Sequence, residues 1–285
     1  MSEKKTGLVM EGGAMRGMFT AGVTDVLMEN GITFDGAMGV SAGATFGCNL
    51  KSQQIGRTIR YNKRFCGDPR YASFKSWLKT GDLFGEEFCY HELPEKLDVF
   101  DTEAFTNNPM DFWVVATNVE TGGPVYYQCT TGKGVDLEWI RASASMPMLS
   151  RVVEIGDHHL LDGGVADSIP VRQMEKFGYE KIVVILTQPL DYRKKKNQYL
   201  PLAKILLRKY PKMIEAMANR HIRYNKTTAY IRRKEQAGEL FAIRPPEALN
   251  IKSTVKDPAE LERVYQMGRQ TMLDRLPELK AYLQE

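Results

Sequence analysis

An α/β protein, helices layered on a sheet, is the fold class the sequence predicts, on three observations. The first 50 residues alternate strand, loop, helix, strand, turn and helix; glycine clusters punctuate the joins; and apolar runs recur at 112–117 and 181–187. Residues 7–11 (GLVME) read as a short buried strand ending in Gly12-Gly13-Ala14-Met15-Arg16-Gly17. Helix-period apolar residues follow over 18–28 (Phe19, Val23, Val26, Leu27), and Asn30-Gly31 is a helix stop. Residues 32–34 and 37–40 form a second strand region leading into Ser41, and the small residues Ala42, Gly43, Ala44 and Gly47 open the next helix.

Residues 51–110 mix aromatic and charged side chains and read as helices and loops. Residues 112–117 form a buried strand, Thr121-Gly122-Gly123-Pro124 turns it, and 125–127 return. A helix is predicted over 136–145, before Met146-Pro147. Strands 152–155 and 158–161 flank Gly156-Asp157, a hairpin signal running into Asp162-Gly163-Gly164. Residues 181–187 (KIVVILT) form another core strand. Basic helices are predicted over 199–237, a break at Pro245-Pro246, and a last helix near 257–274.

Length and composition set the class of protein. A chain of 285 residues suffices for one large core with a helical appendage. Its 43% hydrophobic and 26% charged residues are ordinary for a globular protein, which argues against disorder. Eighteen apolar residues never run together without charge, so no spanning helix is expected. The amino terminus lacks the apolar core of a secretory leader, and Cys48, Cys66, Cys89 and Cys129 are widely spread. A cytoplasmic location follows as the expectation, with peripheral membrane contact left open by the charge pattern. Residues 192–234 hold fourteen Lys or Arg against one acid, Glu215, a balance of +13 that leaves −9 for the rest of the chain.

Three short segments carry chemistry. Gly39-Val40-Ser41-Ala42-Gly43 is a GxSxG pentapeptide between a predicted strand and a predicted helix. Such a turn is sharp, needs small flanking residues, and holds the serine Oγ out at a helix amino terminus. There the helix dipole and free N–H groups favour developing negative charge. Gly12-Gly13-Ala14 can present successive N–H groups to an oxyanion. Asp162, followed by Gly163 and Gly164, is a carboxylate on a hairpin end with no bulky neighbour to shield it. Each segment also has a plainer reading as an ordinary turn. Gly12, Gly17 and Asp35 further imitate a dinucleotide fingerprint, although Ala14 takes its middle glycine and the GxSxG goes unexplained.

Taken together and in this order, the three segments resemble the patatin-like phospholipase family. Residues 116–122 (ATNVETG), 142–147 (ASASMP) and 165–170 (VADSIP) are similar to further family segments, so the resemblance covers roughly 7–187. It implies a three-layer α/β/α domain with a central, mostly parallel sheet over 1–190, and a basic helical region and last helix over 191–285 packed on the same domain. It implies a serine acyl hydrolase acting on lipid acyl esters, with Ser41 as nucleophile, Asp162 as base, and no histidine. Gly12, Gly13 and Ala14 would supply the oxyanion hole, with Arg16, Gly17, Gly39, Gly43, Gly163 and Gly164 supporting the motifs. Ala14 departs from the family's third glycine. No metal and no cofactor are called for.

Two other classes stay open on the sequence. Ser41, Asp162 and His221 occur in the chain order of a Ser-Asp-His esterase, although His221 lies inside the basic segment, where a solvated face is the expected role. A non-catalytic module binding anions or a membrane surface is the other. Leu202, Ile205, Leu206, Tyr210, Met213, Ile214 and Met217 fall at helical spacing among the cations, a pattern suited to anionic lipid. No nucleic-acid-binding motif accompanies it, so no nucleic acid partner is expected. Oligomeric state is not encoded legibly.

Overall fold

The computed structural model describes residues 4–284; residues 1–3, on which part of the amino-terminal reading rests, and residue 285 lie outside them. Eight strands form one sheet: β1 (Thr6–Met10), β2 (Gly36–Val40), β3 (Asp111–Asn118), β4 (Pro124–Cys129), β5 (Val153–Ile155), β6 (His158–Asp162), β7 (Lys181–Ile185) and β8 (Leu240–Ile243). The order is β5-β6-β3-β2-β1-β7-β8, with β4 also paired to β3. The five strands from β3 to β8 are parallel, and β4, β5 and β6 pair antiparallel at one end.

Ten α-helices surround it: α1 (Gly17–Glu29), α2 (Ala42–Lys51), α3 (Arg57–Phe65), α4 (Phe74–Thr80), α5 (Thr102–Asn107), α6 (Val135–Ala144), α7 (Val171–Lys176), α8 (Leu200–Leu206), α9 (Pro211–Gln236) and α10 (Pro258–Gln284). The central strands are apolar at successive positions because both faces are covered. Leu8, Met10, Val183 and Ile185 enter one core with Phe19, Val264 and Met272 from α1 and α10. Val9, Val40, Ile182 and Val184 enter the opposite core with Met174, Tyr224 and Ile231 from α7 and α9. The result is three layers, α/β/α.

Several expectations change. Residues 32–34 are not a strand. The Asp35 carboxylate takes the backbone N–H of Thr6 at 2.6 Å and its hydroxyl at 2.9 Å, which ties the connection to the start of β1 and delays β2 to Gly36. The basic stretch is two helices, broken at Pro211, whose missing N–H suits a first turn. β8 is an unpredicted strand: Leu240–Ile243 is fully buried and extends the sheet beyond β7. The last helix runs to Gln284, past Pro277. It lies along α1, with Tyr265 OH donating to buried Asp25 at 2.6 Å and Arg269 paired to Glu29 at 2.8 Å. The carboxyl-terminal region therefore shares both the sheet and the core.

Candidate active site

Pairing along one edge of β3 brings the serine and the aspartate together. β4 occupies the other edge, so β2 and β6 follow each other along the same one. β2 runs parallel to β3 and ends with Val40 opposite Val115; β6 runs antiparallel and ends with Asp162 opposite Ala116. The two strands thus meet end to end, and the residues at their tips face each other. Ser41 Oγ donates to Asp162 Oδ2 at 2.6 Å. Asp162 Oδ1 accepts the Gly164 N–H at 2.7 Å. The Asp162 backbone is fixed on both sides, its N–H donating to Ser145 O at 2.7 Å and its carbonyl accepting from Thr117 Oγ1 at 2.8 Å.

Ser41 has φ 54° and ψ −120°, in a region that non-glycine residues rarely occupy, at the tip of β2 and immediately before α2. Its N–H donates to Ser143 Oγ at 2.8 Å, so a fully buried hydroxyl of α6 braces the turn. The flanking glycines have a steric cause. A Cβ on Gly43 would stand 2.2 Å from Met10 O, and one on Gly39 2.4 Å from Gly43 O. Only bare backbone lets α2 leave the sheet so closely. Gly17 starts α1 against Phe46 and Ala42 of α2, and Gly163 lies against Val115 O.

The glycine-rich loop lies across this turn. A Cβ on Gly12 would meet Val40 O at 2.8 Å and Ser41 Cβ at 2.9 Å. Buried Glu11 anchors the loop: its carboxylate accepts the Thr187 N–H and the Tyr224 hydroxyl, each at 2.7 Å, while Thr187 Oγ1 donates to Gly12 O at 3.0 Å. Ala14 has φ 49°, the left-handed region its glycine equivalent would favour. Among the described residues, the N–H groups of Gly12 and Gly13 have no protein acceptor. Glu11, Thr187 and Tyr224, which tie down this loop, were not singled out by the sequence; a lone acid ending a buried strand was the available signal.

Burial pushes the Asp162 carboxyl above its ordinary value of 3.8, opposed by the nearby Arg220 charge and by the bonds from Ser41 and Gly164. A raised but still ionisable carboxylate touching a serine hydroxyl can take its proton. His221 lines the cavity beside this pair, correcting its expected place on a solvated face, yet it makes no hydrogen bond to Ser41 or Asp162 among the described residues.

Two cavities meet at the serine, and Ala14, Ser41 and Met146 line both. One, of about 120 Å³, is walled by Phe46, Tyr61, Tyr71, Phe84, Leu93 and Ile140. The other, of about 540 Å³, is lined by Gly12, Gly13, Gly164, Arg16, Lys194 and Arg220 among others. Lys194, in the basic segment where a solvated face is the expected role, lines this cavity instead. Burial and the neighbouring guanidinium of Arg220 lower its ammonium to about 8.

Comparison with known proteins gives two family profiles, patatin-like phospholipase over residues 8–174 and a domain of unknown function (DUF6363) over 210–284. The Escherichia coli (strain K12) protein YjjU is 27% identical over 277 residues, covering 92% of this chain and 74% of that one. Lysophospholipase NTE1 of Debaryomyces hansenii is 29% identical over 206 residues, 69% of this chain but 13% of the yeast protein. The solved structure of VipD from Legionella pneumophila aligns over 97% of this chain and 67% of that one, with a TM-score of 0.46 and 12% identity.

Proposed function

Because the chain belongs to the patatin-like phospholipase family, and is thus a lipid acyl hydrolase, we propose that it cleaves lipid acyl esters through a Ser41–Asp162 dyad. The observation that carries this reading is the 2.6 Å bond from Ser41 Oγ to a buried carboxylate that, among the described residues, has no hydrogen bond to a histidine. In the first step Oγ attacks the ester carbonyl as its proton passes to Asp162. The carbonyl oxygen becomes an oxyanion facing the N–H groups of Gly12 and Gly13, with Ala14 completing the loop. The tetrahedral adduct collapses, Asp162 returns the proton to the leaving alcohol, and an acyl-serine remains. Water, deprotonated by Asp162, then hydrolyses it and frees the fatty acid. The apolar cavity suits the acyl chain, and the wider polar cavity suits the alcohol half.

The substrate reaches this site from a lipid surface on the same reading. Tyr199, Leu202, Ile205 and Leu206 are 48–68% exposed at and on α8, among Lys204, Arg208 and Lys209. Phe74 and Leu78 of α4 are exposed too, and Trp77 Nε1 donates to Met148 O, which ties α4 to the cavity rim. Exposed apolar side chains interspersed with cations suit shallow insertion into an anionic leaflet.

Steady-state hydrolysis of a short p-nitrophenyl ester tests the dyad. Ser41→Ala should abolish turnover and Asp162→Asn should lower it by roughly 10²–10⁴-fold, the usual worth of a general base, while His221→Ala stays near wild type. The reverse pattern for Asp162 and His221 would replace the dyad with a histidine triad.

A further inference from the structure

Building on the acyl hydrolase reading, we infer that Lys194 and Arg220, with Arg16, form a subsite for the phosphate of a glycerophospholipid substrate on the alcohol side of Ser41. The three cations come from distant segments: the turn after β1, the connection after β7, and the middle of α9. All three line the cavity that also holds Ser41 and Asp162. Arg220 lies beside the catalytic pair without bonding it: a Cβ on Gly164 would stand 3.0 Å from one of its terminal nitrogens and 2.9 Å from Asp162 Oδ1.

Among the described residues none of the three forms a salt bridge. The Nε atoms of Arg16 and Arg220 are buried with no hydrogen-bond partner. The cavity's two carboxylates are already engaged. Glu11 takes bonds from Thr187 and Tyr224, and Asp162 from Ser41 and Gly164. Structural arginines are normally buried together with their acceptors, because a desolvated, unpaired donor is costly. Here no carboxylate pairs with any of the three among the described residues, Lys194 Nζ lies over the Tyr224 ring at 4.4 Å, and the cavity that all three line is open.

A phosphate answers that arrangement. It offers several acceptor oxygens and at least one negative charge to guanidinium forks and an ammonium. The Lys194 ammonium, lowered to about 8 by burial beside Arg220, would be restored by such an anion. In a glycerophospholipid the phosphate is joined to the scissile ester through the glycerol carbons. With the carbonyl at Ser41 and the acyl chain in the apolar cavity, the phosphate falls on the cationic side. Two of the three cations, Lys194 and Arg220, lie beyond the residues matched by the phospholipase profile, so the carboxyl-terminal region completes this subsite around Arg16.

Lysophosphatidate and a monoacylglycerol of equal chain length differ only in the phosphate, which makes their kcat/KM ratio the readout. Lys194→Gln and Arg220→Gln should each lower that ratio by about tenfold or more, the scale of one lost charge-assisted bond, mainly through KM. Lys194→Arg should retain most of it. Any effect on Asp162 is common to both substrates and cancels. In parallel, calorimetry on the Ser41→Ala protein measures binding of glycerol 3-phosphate and of inorganic phosphate without turnover. Binding weakened by the same substitutions supports the subsite even if neither lipid is hydrolysed, an outcome that would overturn the hydrolase reading alone. Phosphate binding that weakens while the substrate ratio stays constant would mean a site for free anion and would overturn the headgroup assignment. A constant ratio with constant binding would leave the cations as structure.

Discussion

Asp162 sits where two demands conflict. Burial at 6% exposure favours its neutral form, yet a base must be ionised to accept the serine proton. Arg220, Ser41 and Gly164 pull the other way without fully offsetting the desolvation. The sign fixes two outcomes. The acid limb of kcat/KM should lie above the ordinary carboxylate value of 3.8, with the rate falling as pH drops through the raised value, and Arg220→Gln should move that limb higher. Stability runs oppositely. A carboxyl whose folded pKa exceeds its unfolded one destabilises the protein when ionised, and that cost is relieved as pH falls through the folded value towards the unfolded one. Asp162→Asn should therefore raise Tm at neutral pH, with a gain that vanishes in acid where both proteins carry a neutral side chain. A lower Tm at neutral pH would mean that the ionised form is the stabilised one.

At the level of elements, legibility followed the range of the signal. β1, β2, β3 and β7 were readable because their apolar runs are long enough to show burial on both faces. The hairpin of β5 and β6 was readable from Gly156, whose φ of 55° the turn requires. β8 was not, because four apolar residues after a basic helix carry no period. Ser41 and Asp162 stood out through local turn chemistry, but their meeting depends on β2 and β6 sharing one edge of β3, a long-range register with no local trace. Residues that line the cavity from distant segments were misread for the same reason. Lys194, Arg220 and His221 lie in a charge run whose average suggests solvent; the docking of α9 on the opposite core turns Arg220 and His221 inward, and Asn225 of α9 bonds the Lys194 backbone. Helical spacing also overstated one amphipathic face. Met213 and Met217 of α9 are buried, whereas Leu202, Ile205 and Leu206 of α8 are exposed.

Across the whole molecule, the +13 of residues 192–234 includes cations that line the cavity, such as Lys194 and Arg220, and others beside the exposed apolar side chains of α8, such as Lys204 and Arg208. No helix among the described residues is long and apolar enough to cross a membrane. Each basic residue near an anionic leaflet contributes roughly 1 kcal/mol, decaying over about 8–10 Å at moderate salt. Sedimentation with anionic vesicles should therefore show binding that salt weakens. Ser at positions 202, 205 and 206, or Glu at Lys195 and Lys196, should reduce it, and neutral vesicles should bind less. Equal binding to both vesicle types would remove the electrostatic role. The central claim, that a serine held by an aspartate alone is the nucleophile, meets its most direct test in fluorophosphonate labelling followed by peptide mass spectrometry. The expected result is a stoichiometric adduct on Ser41, slowed strongly by Asp162→Asn and unaffected by His221→Ala. A correctly folded protein that stays unlabelled, or carries the adduct on another residue, would contradict it.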